Sequence, residues 1–226
     1  MLNAKDYCKL VEQKALLHKQ LYLAIRIKDD NSRLISLKES GFNLIFEPSS
    51  KKGYKYFVRE AVFEKIGRIS KLLDQEEKVL IIRSVWRSVK HQRLIWTNKV
   101  TFLQKKHPDK KLSEIKKIVS QFIAPENRST HSTGGAVDAL IYDLKNDCVL
   151  DFGTNDGLNI DLNEKCYPYH PDISLQAKKN RKLLIGLFEN EDFVCDLKEY
   201  WHFDYGNISW ALEKGKKISI YGMITE

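Results

Sequence analysis

Apolar residues recur along this chain at two spacings, and those spacings divide it into helices and strands. Tyr7, Leu10, Val11, Ala15 and Leu16 fall roughly on one side of a helical wheel and predict an opening helix over residues 4–20. LYLAIRI (21–27) reads as a strand, with KDDNSRLIS as the polar turn leading out of it. FNLIF (42–46) is strand-like, and EPSSKKG (47–53) carries the Pro, Ser and Gly of a loop. Val62, Ile66, Ile69 and Leu73 stand at helical spacing and predict a helix over 56–76. KVLIIRSVWRS (78–88) is a strand, and residues 89–106 and 112–123 are helical. AVDALIY (136–142) is a strand followed by the turn DLKND and then CVLDFG (148–153). Residues 154–172 form a long polar loop, a length that often marks function. SLQAKKNRKLLIGLFENE (174–191) is a helix, and YWHFDYG and KISIYGM are closing strands. The elements alternate without a βαβ rhythm. That predicts an α+β fold, a largely antiparallel sheet flanked by helices.

Length and composition narrow this further. A chain of 226 residues, 42% hydrophobic, supports one sizeable core and one compact domain. The net charge is +8, and KKHPDKKLSEIKK (105–117) alone holds six lysines. Such a run suits an anionic polymer or surface, or is simply a solvated helix face. No RRM, zinc-finger or helix-turn-helix pattern supports a nucleic-acid partner. The cysteines at 8, 148, 166 and 195 form no CxxC pair, which points to reduced thiols and a cytosolic setting. The opening MLNAKDYCKLVEQKALLHK lacks the apolar core of a signal peptide, so a cytoplasmic location is expected. No run approaches the ~20 apolar residues of a membrane span.

The chemistry concentrates in two places. In AVDALIY, alternation puts Ala136, Asp138, Leu140 and Tyr142 on one face. Asp138 therefore sits among small and apolar neighbours, where a carboxylate is costly unless paired. It is either solvated at a sheet edge or faces a metal. His131 lies just upstream, and Gly134-Gly135 would let the backbone bend so that the two side chains converge. The second place is EYWH (199–202), read as strand, in which Glu199 and His202 flank two aromatics. Each pair alone has an ordinary reading as a surface acid and a core-edge histidine. Together they supply His, Asp and His donors and a spare carboxylate. Catalytic zinc takes three protein ligands and keeps one position for water, and a glutamate beside it serves as general base.

SxHxxGxAxD (129–138) followed by ExWH (199–202) resembles the paired signature of the VanX/VanY-like zinc D,D-peptidases. The likeness is closest to the D-alanyl-D-alanine dipeptidase branch. SVWRS (84–88), LDFGTNDG (150–157), NRKLLIGLFENEDF (180–193) and FVREAVFEKI (57–66) resemble further stretches of that branch. It implies a single hedgehog/D,D-peptidase-like domain, with residues 55–226 as the peptidase core and 1–54 as a poorly matched N-terminal helix and strands.

The resemblance also implies roles. His131, Asp138 and His202 would hold one Zn2+. Glu199 would take a proton from the zinc-bound water and pass it to the leaving amine. Arg87 would stabilise the oxyanion. Ser129 and Asp156 would lie near the substrate, the aspartate against its free amino group. Ser88 stands where the family has proline, which implies a looser turn. The leading expectation is a dipeptidase acting on D-Ala-D-Ala or a similar short peptide. A D,D- or L,D-carboxypeptidase or endolysin acting on peptidoglycan stem peptides, periplasmic or at the wall, is the alternative. A catalytically silent zinc-binding module is a third. His107 and His170, in Pro-containing loops, read as non-ligands, and Asp151 and Asp161 as loop-capping residues.

Overall fold

The computed structural model describes residues 2–47, 54–120 and 123–225. The loop expected at 47–53 and the end of the helix expected at 112–123 fall partly outside them. The N-terminal part runs α1 (Ala4–Leu21), β1 (Arg26–Ile27), β2 (Leu34–Ser36), β3 (Leu44–Phe46), β4 (Phe57–Arg59), α2 (Glu60–Asp74) and β5 (Lys78–Ser84). Then come α3 (Val89–Lys106), α4 (Leu112–Val119), β6 (Ala136–Asp143), β7 (Cys148–Val149), β8 (Asn155–Asp156) and β9 (Asn159–Ile160). The chain closes with α5 (Leu175–Asn190), β10 (Val194–Cys195), β11 (His202–Asp204), α6 (Ile208–Glu213) and β12 (Ile218–Ser219).

The main sheet has the order β10-β11-β6-β5-β3, with β7 continuing beside the far end of β6. Only β3 runs parallel to its neighbour, β5; the other pairings of this sheet are antiparallel. The fold is therefore α+β with a largely antiparallel sheet. β6 lies at its centre and is buried on both faces through Ile141, which explains a nearly continuous apolar run. α2 presents Val62, Ile66, Ile69 and Leu73 to β5, all essentially inaccessible. Each such side chain contributes about 2 kcal/mol in gross transfer energy. Leu184, Ile185 and Phe188 of α5 join the same core, and Phe188 stacks on Phe203 of β11.

Local signals place the helix ends. Asn3, Ser88 and Ser174 cap α1, α3 and α5, each accepting a backbone N–H three residues on. The serine at 88 thus starts a helix rather than loosening a turn. Two expected strands differ. LYLAIRI continues α1 and then a short 3-10 turn, leaving only Arg26–Ile27 extended. Leu23 is 85% exposed, so no sheet face claimed this run. EYWH is a turn up to Trp201, and the strand begins at His202. The polar loop of 154–172 contains the β8–β9 hairpin. Among the described residues, no helix is long and apolar enough to cross a membrane.

Candidate active site

The register of the sheet assembles the site. His202 of β11 lies directly opposite Asp138 of β6, and Ser84 of β5 opposes Asp138 on the other side. A bulge at Arg83 brings Ser84 into that position. His131 comes from the 3-10 turn Thr130–Thr133 just before β6, ended by Gly134 at φ +76°. A side chain at Gly135 would run into the Tyr205 carbonyl, which explains the second glycine.

Asp138 is 8% exposed and surrounded by cationic or ionisable groups. Its Oδ1 lies 2.8 Å from His202 Nδ1, and its Oδ2 lies 3.2 Å from His131 Nε2. Arg87 Nη2 donates to Oδ2 at 3.3 Å. Arg87 is itself held, Nε donating to Ser84 Oγ at 2.9 Å and Nη1 to Gln92 Oε1 at 3.2 Å. Burial opposes the Asp138 charge, but His131 and His202 outweigh it and hold its carboxyl well below the usual range. Burial and then Arg87 lower His131. Burial would lower His202 as well, yet Asp204 and Asp138 raise it well above its ordinary value.

The donor atoms of His131, Asp138 and His202 lie within 4.8 Å of one another, the one such cluster of three among the described residues. The outward ring nitrogens are engaged. His131 Nδ1 lies 2.8 Å from the Val85 carbonyl, and His202 Nε2 lies 3.2 Å from Asp204 Oδ1. A histidine whose second nitrogen is fixed this way is oriented to offer the first to a metal. The set fits a divalent cation of the zinc type.

Glu199 enters from the turn before β11. Burial, then the nearby Asp196 carboxylate, push its carboxyl up to about 8. Burial raises Asp196 too. A cleft of roughly 810 Å³ contains Arg87, Ser129, His131, Asp138, Glu199 and His202 in its wall. An adjoining cavity of roughly 950 Å³ shares Leu162, Lys198, Glu199 and Trp201 with it. Helix α1 contributes Ala15 and His18 to the first and Ala4 and Glu12 to the second.

Six of the seven residues named from sequence therefore come together. Asp156 does not: it is exposed in the β8–β9 hairpin and lines neither cavity. Asp151 caps the turn at Gly153, as expected. Asp161 accepts from Asn163 Nδ2 within its own loop at 3.1 Å, and it also lines the second cavity. His107 and His170 lie outside the donor cluster. Asp196 and Asp204 were missed. Asp204 was detectable, since in an extended HFD it shares a face with His202.

Comparison with known proteins shows the family. The family model Peptidase M15, described as D-ala-D-ala dipeptidase, matches residues 49–214. The D-alanyl-D-alanine dipeptidase of Escherichia coli (strain K12) is 34% identical over 76 residues. That stretch is 34% of this chain and spans only 37% of that relative's length. Among solved structures, the LdcB LD-carboxypeptidase aligns with a TM-score of 0.48 at 16% identity, covering 84% of this chain and 76% of its own. VanYB in complex with D-alanine-D-alanine gives 0.48 at 16%, covering 82% and 85%. With that family model matching residues 49–214, the chain belongs to the Peptidase M15 family, described as D-ala-D-ala dipeptidase.

Proposed function

We propose that this protein is a zinc-dependent D,D-dipeptidase that hydrolyses D-Ala-D-Ala or a similar short peptide. The observation that carries the reading is the convergence of three donors, one raised carboxyl and one restrained arginine in a single cleft. His131 Nε2, the Asp138 carboxylate and His202 Nδ1 would hold the ion. When bound, zinc acts as a Lewis acid and makes water a nucleophile near neutral pH.

The protein's own groups would do the rest. A carboxyl raised toward neutrality suits a residue that takes a proton and gives it back, so Glu199 would accept one from water and deliver it to the leaving amine. Arg87 already has two nitrogens committed to Ser84 and Gln92. It would meet the oxyanion with little reorganisation. Ser129, buried in the cleft wall, would contact the substrate. A dipeptidase of this kind would work in the cytoplasm.

A second reading rests on the size of the space. A cleft of about 810 Å³ opening onto a further cavity is more than a dipeptide needs, and favours a carboxypeptidase or endolysin acting on peptidoglycan stem peptides. A silent zinc module would have no use for Glu199 and Arg87 in this arrangement.

The test is to incubate zinc-loaded protein with free D-Ala-D-Ala and with a pentapeptide ending in D-Ala-D-Ala, and to measure released D-alanine. Release from the dipeptide alone supports the first reading. Release from the pentapeptide replaces it with the second. Zinc binding without release from either leaves the non-catalytic module.

A further inference from the structure

The turn that carries His131 is gripped from behind by one buried side chain. Arg59, at the end of β4, is 4% exposed. Its Nε donates to the Thr133 carbonyl at 2.9 Å, and its backbone N–H donates to the Gly134 carbonyl at 2.9 Å. The rest of the guanidinium is tied down in turn. Nη1 donates to the Ser32 carbonyl at 2.6 Å, and Nη2 to Asp29 Oδ2 at 2.8 Å. Asp29 also accepts the Gly222 N–H at 2.7 Å. Three segments far apart in sequence, around residues 29–32, 133 and 222, thus meet on one side chain.

The same strand holds the other half of the site. Two residues before Arg59, the Phe57 carbonyl accepts the Trp86 N–H at 3.0 Å, next to Arg87. The Arg87 N–H in turn donates to the His131 carbonyl at 3.2 Å. β4 is therefore a three-residue strut, with the Arg87 segment fixed to one end and the exit of the His131 turn to the other.

We infer that Arg59 is a positioning residue for the metal site, setting the His131 turn relative to Arg87 without touching substrate or metal. The inference rests on the reading of His131 as a ligand. A guanidinium suits the task because its rigid fork satisfies several carbonyls at fixed angles, which a lysine cannot do. Outer groups that orient metal ligands commonly alter affinity by roughly 10–100-fold when removed.

The experiment compares wild type with Arg59→Met, Arg59→Lys and Asp29→Asn. The core variant Ile69→Val, remote from the strut, serves as a control for general destabilisation. Two quantities are read: Zn2+ affinity by competition with a chromophoric chelator, and exchange protection of the Gly134 and Arg87 amides in the metal-free protein. We expect Zn2+ binding to weaken about tenfold or more in Arg59→Met. Both amides should lose protection, while Ile69→Val keeps wild-type Zn2+ affinity despite a lower Tm. If Arg59→Met does not fold, Arg59→Lys and Asp29→Asn decide on the same readouts, with smaller losses expected. Folded variants that bind Zn2+ as wild type does overturn the inference, as does a loss of affinity that the control matches. Wild-type protein that binds no Zn2+ overturns the metal reading itself.

Discussion

Asp138 and His202 face each other across two antiparallel strands, with Asp138 Oδ1 2.8 Å from His202 Nδ1. The pair is set by sheet register, so the donors are placed by the same hydrogen bonds that build the core. A one-residue slip of β11 would turn His202 to the opposite face. Replacing Asp138 with alanine should therefore abolish Zn2+ binding and also destabilise the metal-free protein by about 3–5 kcal/mol, because Arg87 and His202 lose their partner. Chelator competition and denaturant melts in EDTA check the two effects separately.

Glu199 offers a test of its environment that needs no substrate. Its carboxyl holds a proton up to about 8 in the folded protein, against 4.5 for an ordinary glutamate. A raised carboxyl costs nothing below pH 4.5, and its stabilising proton is lost as pH rises through 8. Glu199→Gln should thus match wild type in Tm near pH 4.5 in EDTA and exceed it increasingly up to pH 8–9. A difference that stays flat across this range would place the carboxyl in solvent.

In turnover, the same variant should bind Zn2+ normally and lose about 10²–10⁴-fold in kcat, the range attributed to a positioned acid–base group. Metal content measured beside the rate separates a chemical defect from a lost ion.

Arg87→Lys keeps the charge and loses the fork that engages Ser84, Gln92 and Asp138 together. A fall of about 10²–10³-fold in kcat is expected, with little change in Zn2+ affinity. Full activity in this variant would remove Arg87 from the chemistry.

Gly135→Ala drives a Cβ toward the Tyr205 carbonyl and to 2.9 Å from Tyr221 Cδ2. Backbone cannot yield as a flexible side chain can, so a loss of about 1–3 kcal/mol is expected. A Tm series against Gly186→Ala, where a Cβ meets no atom within 4 Å and the backbone is not left-handed, separates the clash from the general effect of replacing a glycine.

The helices at 60–74, 89–106 and 175–190 were legible because their apolar spacing agrees with the packing they enter, and Ser88 and Ser174 cap the latter two. Strand β6 was legible for the same reason, and the donors were legible because His131, Asp138 and His202 lie in two short contiguous motifs. LYLAIRI misled because its alternation satisfies a strand pattern that no neighbouring strand completes beyond Arg26–Ile27. EYWH misled because Tyr200 stacks on Phe152 and lies under Arg181, contacts made across 48 and 19 positions of sequence respectively. Asp156 was drawn toward the site by a motif, whereas Asn155 anchors that turn to the Phe152 amide and turns its neighbour outward. Arg59 left no local trace, since its partners are dispersed from Asp29 to Gly222.

Helix α1 lines both cavities with residues that precede the family match at 49–214. Part of the cleft wall thus comes from a stretch of chain that supplies none of the donors. Under selection the two can drift at different rates. Changes at Ala15 or His18 would reshape the cleft while Asp138 and its partners stay fixed, so the space around the donors can change through the segment that lies outside the family match.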